Sequence, residues 1–185
     1  RSPMDEQVLR AMARWPDVPA VWGWLRLDRR GRWLLVDRGR AGFDEARDGA
    51  GSPITNPQIV DFIGRNYAAD TTGRWHWQNG PQRVYVDVET APLVLRVLGP
   101  GGDPRLVTHT GRLVERVDGG WLGPNGEALL RTDAGPAVVH DLDLATLDLA
   151  QDGDAIVLTL GGRSLRLAPT ASPPAALGFV PAPRP

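Results

Sequence analysis

The sequence has no cysteine, no lysine and no long apolar run, and each absence narrows the kind of protein that it encodes. Without cysteine there are no disulfides, no thiolate nucleophiles and no cysteine-ligated metal centres. The longest apolar segment, PLVLRVL at 92–98, is interrupted by Arg96 and is far shorter than the roughly 20 residues of a membrane helix. Because the apolar runs are so short, we expect no membrane association. All basic residues are arginines, and since Ala, Gly and Pro are also abundant, this indicates GC-rich codon usage.

An excess of positive charge is also missing. The formal net charge is −1 and the isoelectric point is near 6.3, so nothing favours binding to a row of nucleic-acid phosphates. The N-terminal stretch RSPMDEQVLRAM has neither the apolar segment nor the small-residue cleavage site of a signal peptide. These features predict a cytoplasmic protein with no nucleic-acid partner. A chain of 185 residues, 42% of them apolar, is long enough to bury a core.

Two segments have helical signals. Ser2, Pro3 and Asp5 fit the N-cap, N1 and N3 positions of a capping box. They predict a first helix that runs to about residue 14 and stops before the proline at 16. The second helix is predicted over 56–69 because Asn56 and Pro57 open a segment with one apolar face. That face consists of Ile59, Phe62, Ile63 and Tyr67.

The rest of the chain has the alternation and the turn residues of β hairpins. WGWLRLDRRGRWLLV at 22–36 predicts a hairpin with a type I turn between Asp28 and Gly31. AIVLTLGGRSLRL at 155–167 predicts a hairpin with a two-residue turn of Gly161 and Gly162. The second turn sets three cross-strand pairs: Leu158 with Leu165, Ile156 with Leu167, and Thr159 with Ser164.

Short motifs recur along the chain. DRRGRW at 28–33 returns as DTTGRW at 70–75, and WHWQNG at 75–80 is answered by WLGPNG at 121–126. This pattern predicts either repeated hairpins or the independent reuse of residues that turns require.

These elements predict an α+β protein, built mostly of antiparallel β hairpins, with two helices in the N-terminal half and a β-rich C-terminal half. We expect an α+β lobe over 1–91, a β-rich lobe over 92–168 and a proline-rich arm over 169–185. The arm has six prolines in APTASPPAALGFVPAPRP, which argues against a helix or a central strand there. Its apolar residues, Leu177, Phe179 and Val180, are expected to dock on the body or on a neighbouring molecule.

The segment GRWHWQNGPQRVYVDVE at 73–89 is the densest cluster of aromatic and charged residues. A two-residue turn of Asn79 and Gly80 would require an N–H that Pro81 lacks, so we predict a four-residue loop from Asn79 to Gln82. The resulting register puts Trp75, Trp77, Val84 and Val86 on one apolar face.

The opposite face of this hairpin is the candidate binding site. It carries Arg74, His76, Gln78, Arg83, Tyr85, Asp87 and Glu89, with Arg74 opposite Asp87, His76 opposite Tyr85 and Gln78 opposite Arg83. The structural interpretation is a solvated face stabilised by cross-strand pairs. The functional interpretation is a patch that recognises an anion, with the two arginines as donors and Tyr85 as a stacking surface.

Catalytic and metal-binding motifs are lacking. The sequence contains no Gly-x-Ser-x-Gly elbow, P-loop, dinucleotide fingerprint or His-Glu-x-x-His helix. His76, His109 and His140 have no spacing typical of a zinc site, although HDLD at 140–143 could supply two ligands and an orienting carboxylate. We expect no cofactor and no metal.

Several motifs in order resemble known families. The first predicted helix, LDRRGRW, ITNPQIVDFIGRNYAAD, GRWHWQNGPQRVYV and ETAPLVLRV together resemble an uncharacterised family of proteobacterial proteins, clearly over residues 4–98 and loosely beyond. The order of elements is also similar to that of a second uncharacterised bacterial family, which has two parts. The resemblance implies a two-part α+β protein with a role in signalling or regulation, and it supplies no catalytic residues.

Three functions are compatible with the sequence. The leading hypothesis is a non-enzymatic cytoplasmic module that binds a small anionic ligand or a protein partner through the polar hairpin face. One alternative is a small hydrolase or lyase that uses His76 with Asp87 or Glu89. The other is a structural or assembly protein that uses its C-terminal arm. The sequence predicts no oligomeric state.

Overall fold

The computed structural model describes residues 4–99 and 103–185. Over these residues the chain forms mixed sheets with 14 strands and five short helices, so it is an α+β protein dominated by β structure, as predicted. It divides into two compact units.

The first unit consists of the described residues up to Asp28, then Arg32–Glu89 and Val180–Pro185. Its six strands form one sheet in the order β3-β2-β1-β6-β5-β4. The elements are α1 Glu6–Arg14, β1 Val21–Leu27, β2 Trp33–Leu35, α2 Glu45–Asp48, β3 Ser52–Pro53, α3 Pro57–Arg65, β4 Tyr67–Ala69, β5 Trp75–Asn79 and β6 Gln82–Val88.

At the centre of this sheet β1 runs parallel to β6, whereas the other neighbouring strands are antiparallel. A central position buries strand residues on both faces, and β6 accordingly has Val84, Tyr85 and Val86 buried in succession. The predicted hairpin of β1 and β2 is confirmed.

The helices agree with the sequence at two of their four ends. Helix α1 ends at Arg14 as predicted, but it begins at Glu6, so Asp5 is the N-cap residue, without a side-chain hydrogen bond, and not the predicted third helical residue. The predicted caps Ser2 and Pro3 lie outside the described residues. Helix α3 begins at Pro57, after Asn56, whose side chain accepts hydrogen bonds from the backbone N–H groups at 58 and 59.

The predicted end of the second helix at residue 69 is wrong. Helix α3 stops at Arg65, and Tyr67–Ala69 forms strand β4, which pairs with β5. The side chain of Asn66 is fully buried and donates to the carbonyl of Phe62 at 3.0 Å, while its Oδ1 accepts from the N–H of Asp5 at 2.8 Å. These bonds satisfy backbone groups at the ends of two helices, so α3 ends four residues before the predicted position.

The second unit consists of Arg29–Gly31 and the described part of Thr90–Phe179. Its sheet has eight strands in the order β12-β13-β14-β9-β10-β11-β7-β8. The elements are β7 Leu93–Leu98, β8 Arg105–Thr108, β9 Val117–Leu122, β10 Ala128–Thr132, β11 Gly135–Val139, a 3-10 helix Asp141–Thr146, β12 Asp148–Asp152, β13 Ala155–Leu160, β14 Arg163–Pro169 and α4 Pro173–Leu177.

The hairpin of β13 and β14 has the predicted register. Leu158 pairs with Leu165, Ile156 with Leu167 and Thr159 with Ser164, around the turn of Gly161 and Gly162. Both glycines have positive φ, as a two-residue hairpin turn requires.

The C-terminal arm contains a helix, contrary to the prediction. Helix α4 has Ser172 at the N-cap, where its side chain accepts from the N–H of Ala175, and prolines at the first two helical positions. Proline is tolerated there because the first N–H groups of a helix have no intrahelical partner, and the six prolines of the arm therefore do not exclude a single helical turn. Leu177 and Phe179 are buried, so these two residues dock on their own chain.

Candidate functional site

The β5–β6 hairpin has the predicted register but a shorter loop. His76 pairs with Tyr85, Trp77 with Val84 and Gln78 with Arg83. Asn79 and Gln82 also pair, so the loop is Gly80 and Pro81 alone. Gly80 has φ +57°, the value required at the first central position of a type II′ turn, and the fixed φ of proline suits the second position.

The face opposite the tryptophans is not a solvated surface. His76 and Gln78 are 2% exposed and Tyr85 is 3% exposed. The structural interpretation of a wet face is therefore wrong for these three residues. The face is covered because Trp22 of β1 stacks on Tyr85, with ring centroids 4.0 Å apart and planes 5° from parallel.

A cavity of about 290 Å³ opens at the edge of this covered face, and we call it the hairpin cavity. The residues of the hairpin form its polar wall, and the end of α1 with the following segment and Trp22 forms its apolar wall. Gln82 donates to the carbonyl of Pro19 at 3.3 Å and so ties that segment to the hairpin. The lining residues are Met12, Trp15, Pro16, Val18, Ala20, Trp22, Arg74, Gln78, Pro81, Arg83 and Tyr85.

Four of the seven residues predicted on this face line the cavity, whereas His76, Asp87 and Glu89 do not. Arg74, Gln78, Arg83 and Tyr85 meet there. His76 lies behind the wall, with its ring edge toward Tyr85 at a centroid distance of 5.6 Å. Asp87 is engaged elsewhere, since its carboxylate accepts from the Arg184 guanidinium at 2.8 and 3.0 Å.

Arg74 is held in place by Asp70. The Nε atom of Arg74 donates to the Asp70 carboxylate at 2.7 Å, and the backbone N–H of Arg74 donates to the same group at 3.1 Å. Burial acts to raise the pKa of Asp70, but hydrogen bonds from Thr72 and Arg74 outweigh it and hold the pKa below its usual range. Asp70 is therefore ionised at neutral pH and balances the charge of Arg74.

Arg83 has no such carboxylate partner in the described structure. Its Nη1 atom donates to the hydroxyl of Tyr85 at 3.2 Å, and that hydroxyl donates in turn to Asp70 at 3.2 Å. The guanidinium also lies 5.9 Å from the centre of the Tyr85 ring. The guanidinium of Arg83 is therefore a half-buried cation at the cavity wall, and no described carboxylate pairs with it.

His76 is electrically neutral in this environment. Burial and the nearby positive charge of Arg83 lower its pKa to about 4. Neither ring nitrogen has a side-chain hydrogen-bond partner among the described residues. The Oε1 atom of Gln78 also lacks one. His76 consequently bonds to neither Asp87 nor Glu89, the carboxylates proposed for acid-base chemistry.

The residues that sequence reasoning missed are those of the apolar wall and Asp70. Trp22 was assigned to a hairpin strand, and nothing in the local sequence indicates that β1 pairs in parallel with β6. Asp70 did carry a signal, because DTTGRW repeats the turn motif DRRGRW. In that motif the aspartate caps the turn and binds the arginine four residues later.

A second cavity, of about 340 Å³, lies in the second unit. Its wall includes Arg105, Arg116 and Arg163, together with the carboxylates Asp103 and Glu115. It has no aromatic lining residue, and its acidic groups offset part of its positive charge. The hairpin cavity, with aromatic rings in its lining, is the stronger candidate despite its smaller volume.

Within the described ranges, 4–99 and 103–185, the chain has neither a metal-binding cluster nor a membrane-spanning helix. No group of three or more histidine or acidic residues is arranged to hold a metal ion there. None of the described helices combines the length and the apolar character needed to cross a membrane.

Comparisons with known proteins give a family and a fold. A family model described as "Protein of unknown function (DUF2946)" matches residues 4–184. The crystal structure of a DUF1285 family protein from Silicibacter pomeroyi DSS-3 is similar, with a TM-score of 0.52 and 20% identity, over 84% of this chain and 85% of that one. A DUF1285 family protein from Shewanella baltica OS155 has a TM-score of 0.45 and 14% identity, over 66% and 87%. No curated protein matches the chain.

Proposed function

The chain belongs to this family of proteins of unknown function, as its motifs predicted, and we propose that it is a non-enzymatic cytoplasmic module that binds a small anion in the hairpin cavity. A protein that binds a metabolite without converting it reports the concentration of that metabolite, so a regulatory or signalling role is part of the proposal. The structural likeness to the DUF1285 protein concerns the fold alone.

The observation that supports anion binding is the charge state of the polar wall. Arg74 is balanced by Asp70, whereas the guanidinium of Arg83 has only the Tyr85 hydroxyl as a hydrogen-bond partner in the described structure. Arginine presents several N–H donors in a fork that matches a carboxylate or a phosphate. A small anion in the cavity would supply the missing countercharge.

The arrangement of His76 favours binding over chemistry. A general base must reach the proton that it removes and must be oriented by a partner. His76 is buried behind the cavity wall with no side-chain hydrogen-bond partner among the described residues, and its pKa of about 4 makes it a weak base. The suggested carboxylates are engaged by arginines, Asp87 by Arg184 at 2.8 Å and Glu89 by Arg26 at 3.7 Å. These contacts favour the binding module over the hydrolase or lyase.

A thermal-shift screen of anionic metabolites tests the proposal. Wild type, Arg83→Ala and the control Arg112→Ala are melted with each compound, since bound ligand raises the melting temperature by mass action. Arg112 is an exposed arginine of the second unit and lies outside both cavities. We expect at least one compound to stabilise wild type and Arg112→Ala, and to leave Arg83→Ala unchanged.

The same experiment can contradict the proposal in two ways. Equal shifts in wild type and Arg83→Ala would exclude the cavity as the binding site, and the absence of any stabilising anion would exclude the function. Conversion of a stabilising compound, followed by product analysis, would replace the binding module with an enzyme. Melting without ligand separates the intrinsic cost of Arg83→Ala, about 1 kcal/mol for the lost hydrogen bond, from the loss of binding.

A further inference from the structure

We propose that the ligand of the hairpin cavity is a planar aromatic monocarboxylate. This inference rests on the proposed function and specifies the chemical class of the anion. It is supported by three properties of the described residues: the net charge of the wall, the rings that line the cavity and the apolar character of the opposite side.

The charge of the cavity favours a monoanion. Its described lining includes two arginines and no carboxylate, and Asp70, which is not part of the lining, lies against Arg74 at 2.7 Å. One positive charge, that of Arg83, is left over. A monocarboxylate would neutralise it, whereas a phosphate dianion would bring a second negative charge into a half-buried site with nothing to balance it.

The rings favour a planar ligand. Trp22 is held in a fixed orientation by its stack on Tyr85, and both residues line the cavity. Trp15 lines it too and remains 49% exposed, and the guanidinium of Arg14 lies 4.7 Å from the centre of its ring. An exposed tryptophan beside a cavity is available to stack on a flat ring, and such aromatic contacts are stronger than their buried area alone would give.

The opposite wall has no polar side chain to recognise a second polar group. Met12, Val18 and Ala20 contribute apolar surface there. A ligand with many hydroxyl groups, such as a sugar acid, would lose its hydration without gaining hydrogen bonds on this side. This wall suits a ligand that is apolar apart from the carboxylate that binds Arg83.

A series of three probes tests the ligand class by isothermal titration calorimetry. Benzoate is planar and carries one charge, cyclohexanecarboxylate is the saturated ligand of similar size, and phenyl phosphate keeps the ring but carries a second charge near neutral pH. We expect benzoate to bind about three- to tenfold more tightly than cyclohexanecarboxylate, which corresponds to the energy of an aromatic contact. We also expect it to bind more tightly than phenyl phosphate.

A variant of Trp15 separates stacking from general burial. Trp15→Ala removes a half-exposed ring, so the fold is expected to remain, and a melt of the free protein checks this. Its affinity for benzoate should fall about three- to tenfold, while its affinity for cyclohexanecarboxylate changes much less. The control Leu142→Ala removes a residue that is 64% exposed in the second unit and should alter neither affinity.

The outcomes distinguish the ligand class from the proposed function. If carboxylates bind in an Arg83-dependent manner but the saturated probe equals benzoate, the aromatic class is wrong and anion binding stands. If phenyl phosphate binds most tightly, the preference for a monoanion is wrong. If none of the probes binds while another anion of the thermal-shift screen does, the class is overturned without loss of the function. If nothing binds at all, both proposals fail.

Discussion

Single residues set the electrostatics of the hairpin cavity. His76 and Arg83 lie on the same face of the β5–β6 hairpin, one buried and neutral, the other half-buried and charged. The positive charge of Arg83 adds to burial in disfavouring the imidazolium form of His76, while Asp70 acts in the opposite direction. Stability should therefore depend on pH through this one histidine.

The expected effect is a loss of stability as the pH falls from about 6.5 to about 4. The unfolded chain takes up a proton at the imidazole near its ordinary pKa of 6.5, whereas the folded protein does so only near 4. Over this window the unfolded state binds more protons, so the free energy of unfolding drops by about 3 kcal/mol in total.

Urea melts between pH 7 and 5.5 measure the upper part of this slope, where the aspartates and glutamates of the unfolded chain are still almost fully ionised. His76→Gln, which cannot titrate, should have a flatter profile than wild type across that range. Parallel profiles for the two proteins would show that His76 does not carry the pH dependence.

At the scale of elements, one turn recurs. In DRRGRW and DTTGRW, the aspartate N–H donates to the carbonyl of the arginine four residues later, at 3.0 and 2.8 Å. The glycines at 31 and 73 both have φ +82°. Thr108 with Arg112 and Gly123 with Glu127 make the same backbone bond, each followed in the loop by a glycine of positive φ. The recurrence of DRRGRW as DTTGRW therefore reflects the residues that this turn requires.

In these turns the aspartate matters more as a cap than as half of an ion pair. The Asp28 carboxylate is buried and accepts from the backbone N–H of Arg32 at 2.9 Å and from its guanidinium at 2.6 Å. Asp28→Ala should cost about 1–3 kcal/mol, because it leaves that N–H without its partner.

Arg32→Ala is the matched variant and should cost less than about 1 kcal/mol, because the Arg32 side chain is 64% exposed and screened by solvent. Urea denaturation of the two variants at pH 7 gives both values. Equal losses would mean that the ion pair, and not the cap, stabilises the turn.

What the sequence could predict at this scale depends on how far apart the interacting residues lie. The registers of the β5–β6 and β13–β14 hairpins follow from local alternation around a turn, and both predictions are confirmed. The parallel pairing of β1 with β6 joins residues about 60 positions apart and leaves no local signal. Because that pairing brings Trp22 onto Tyr85, the sequence could supply four residues of the cavity's polar wall but neither its burial nor its apolar wall.

At the scale of the whole chain, the last six residues complete the first unit. Val180 donates to the carbonyl of Gly73 at 2.9 Å, and Pro181 accepts from the N–H of Val88 at 2.8 Å. Pro183 is buried, and Arg184 pairs with Asp87. The first unit is therefore built from both ends of the described chain, which a division into consecutive lobes does not capture.

Deletion of Val180–Pro185 should consequently destabilise the protein. The two backbone hydrogen bonds alone are worth about 2 kcal/mol, which for a chain of this size lowers the melting temperature by about 4–8 °C. Arg184→Ala should cause a much smaller change, because the arginine side chain is 47% exposed. A truncated chain that melts within 1 °C of wild type would show that these residues contribute nothing to the unit.

Arg83 is proposed to bind a small anion in the hairpin cavity. The most direct measurement is a crystal structure of the protein with the most strongly stabilising anion from the thermal-shift screen. We expect the anionic group to lie about 3 Å from the guanidinium of Arg83, with the rest of the ligand against Trp15 and Trp22. An anion bound elsewhere, with the hairpin cavity free of it, would contradict the claim.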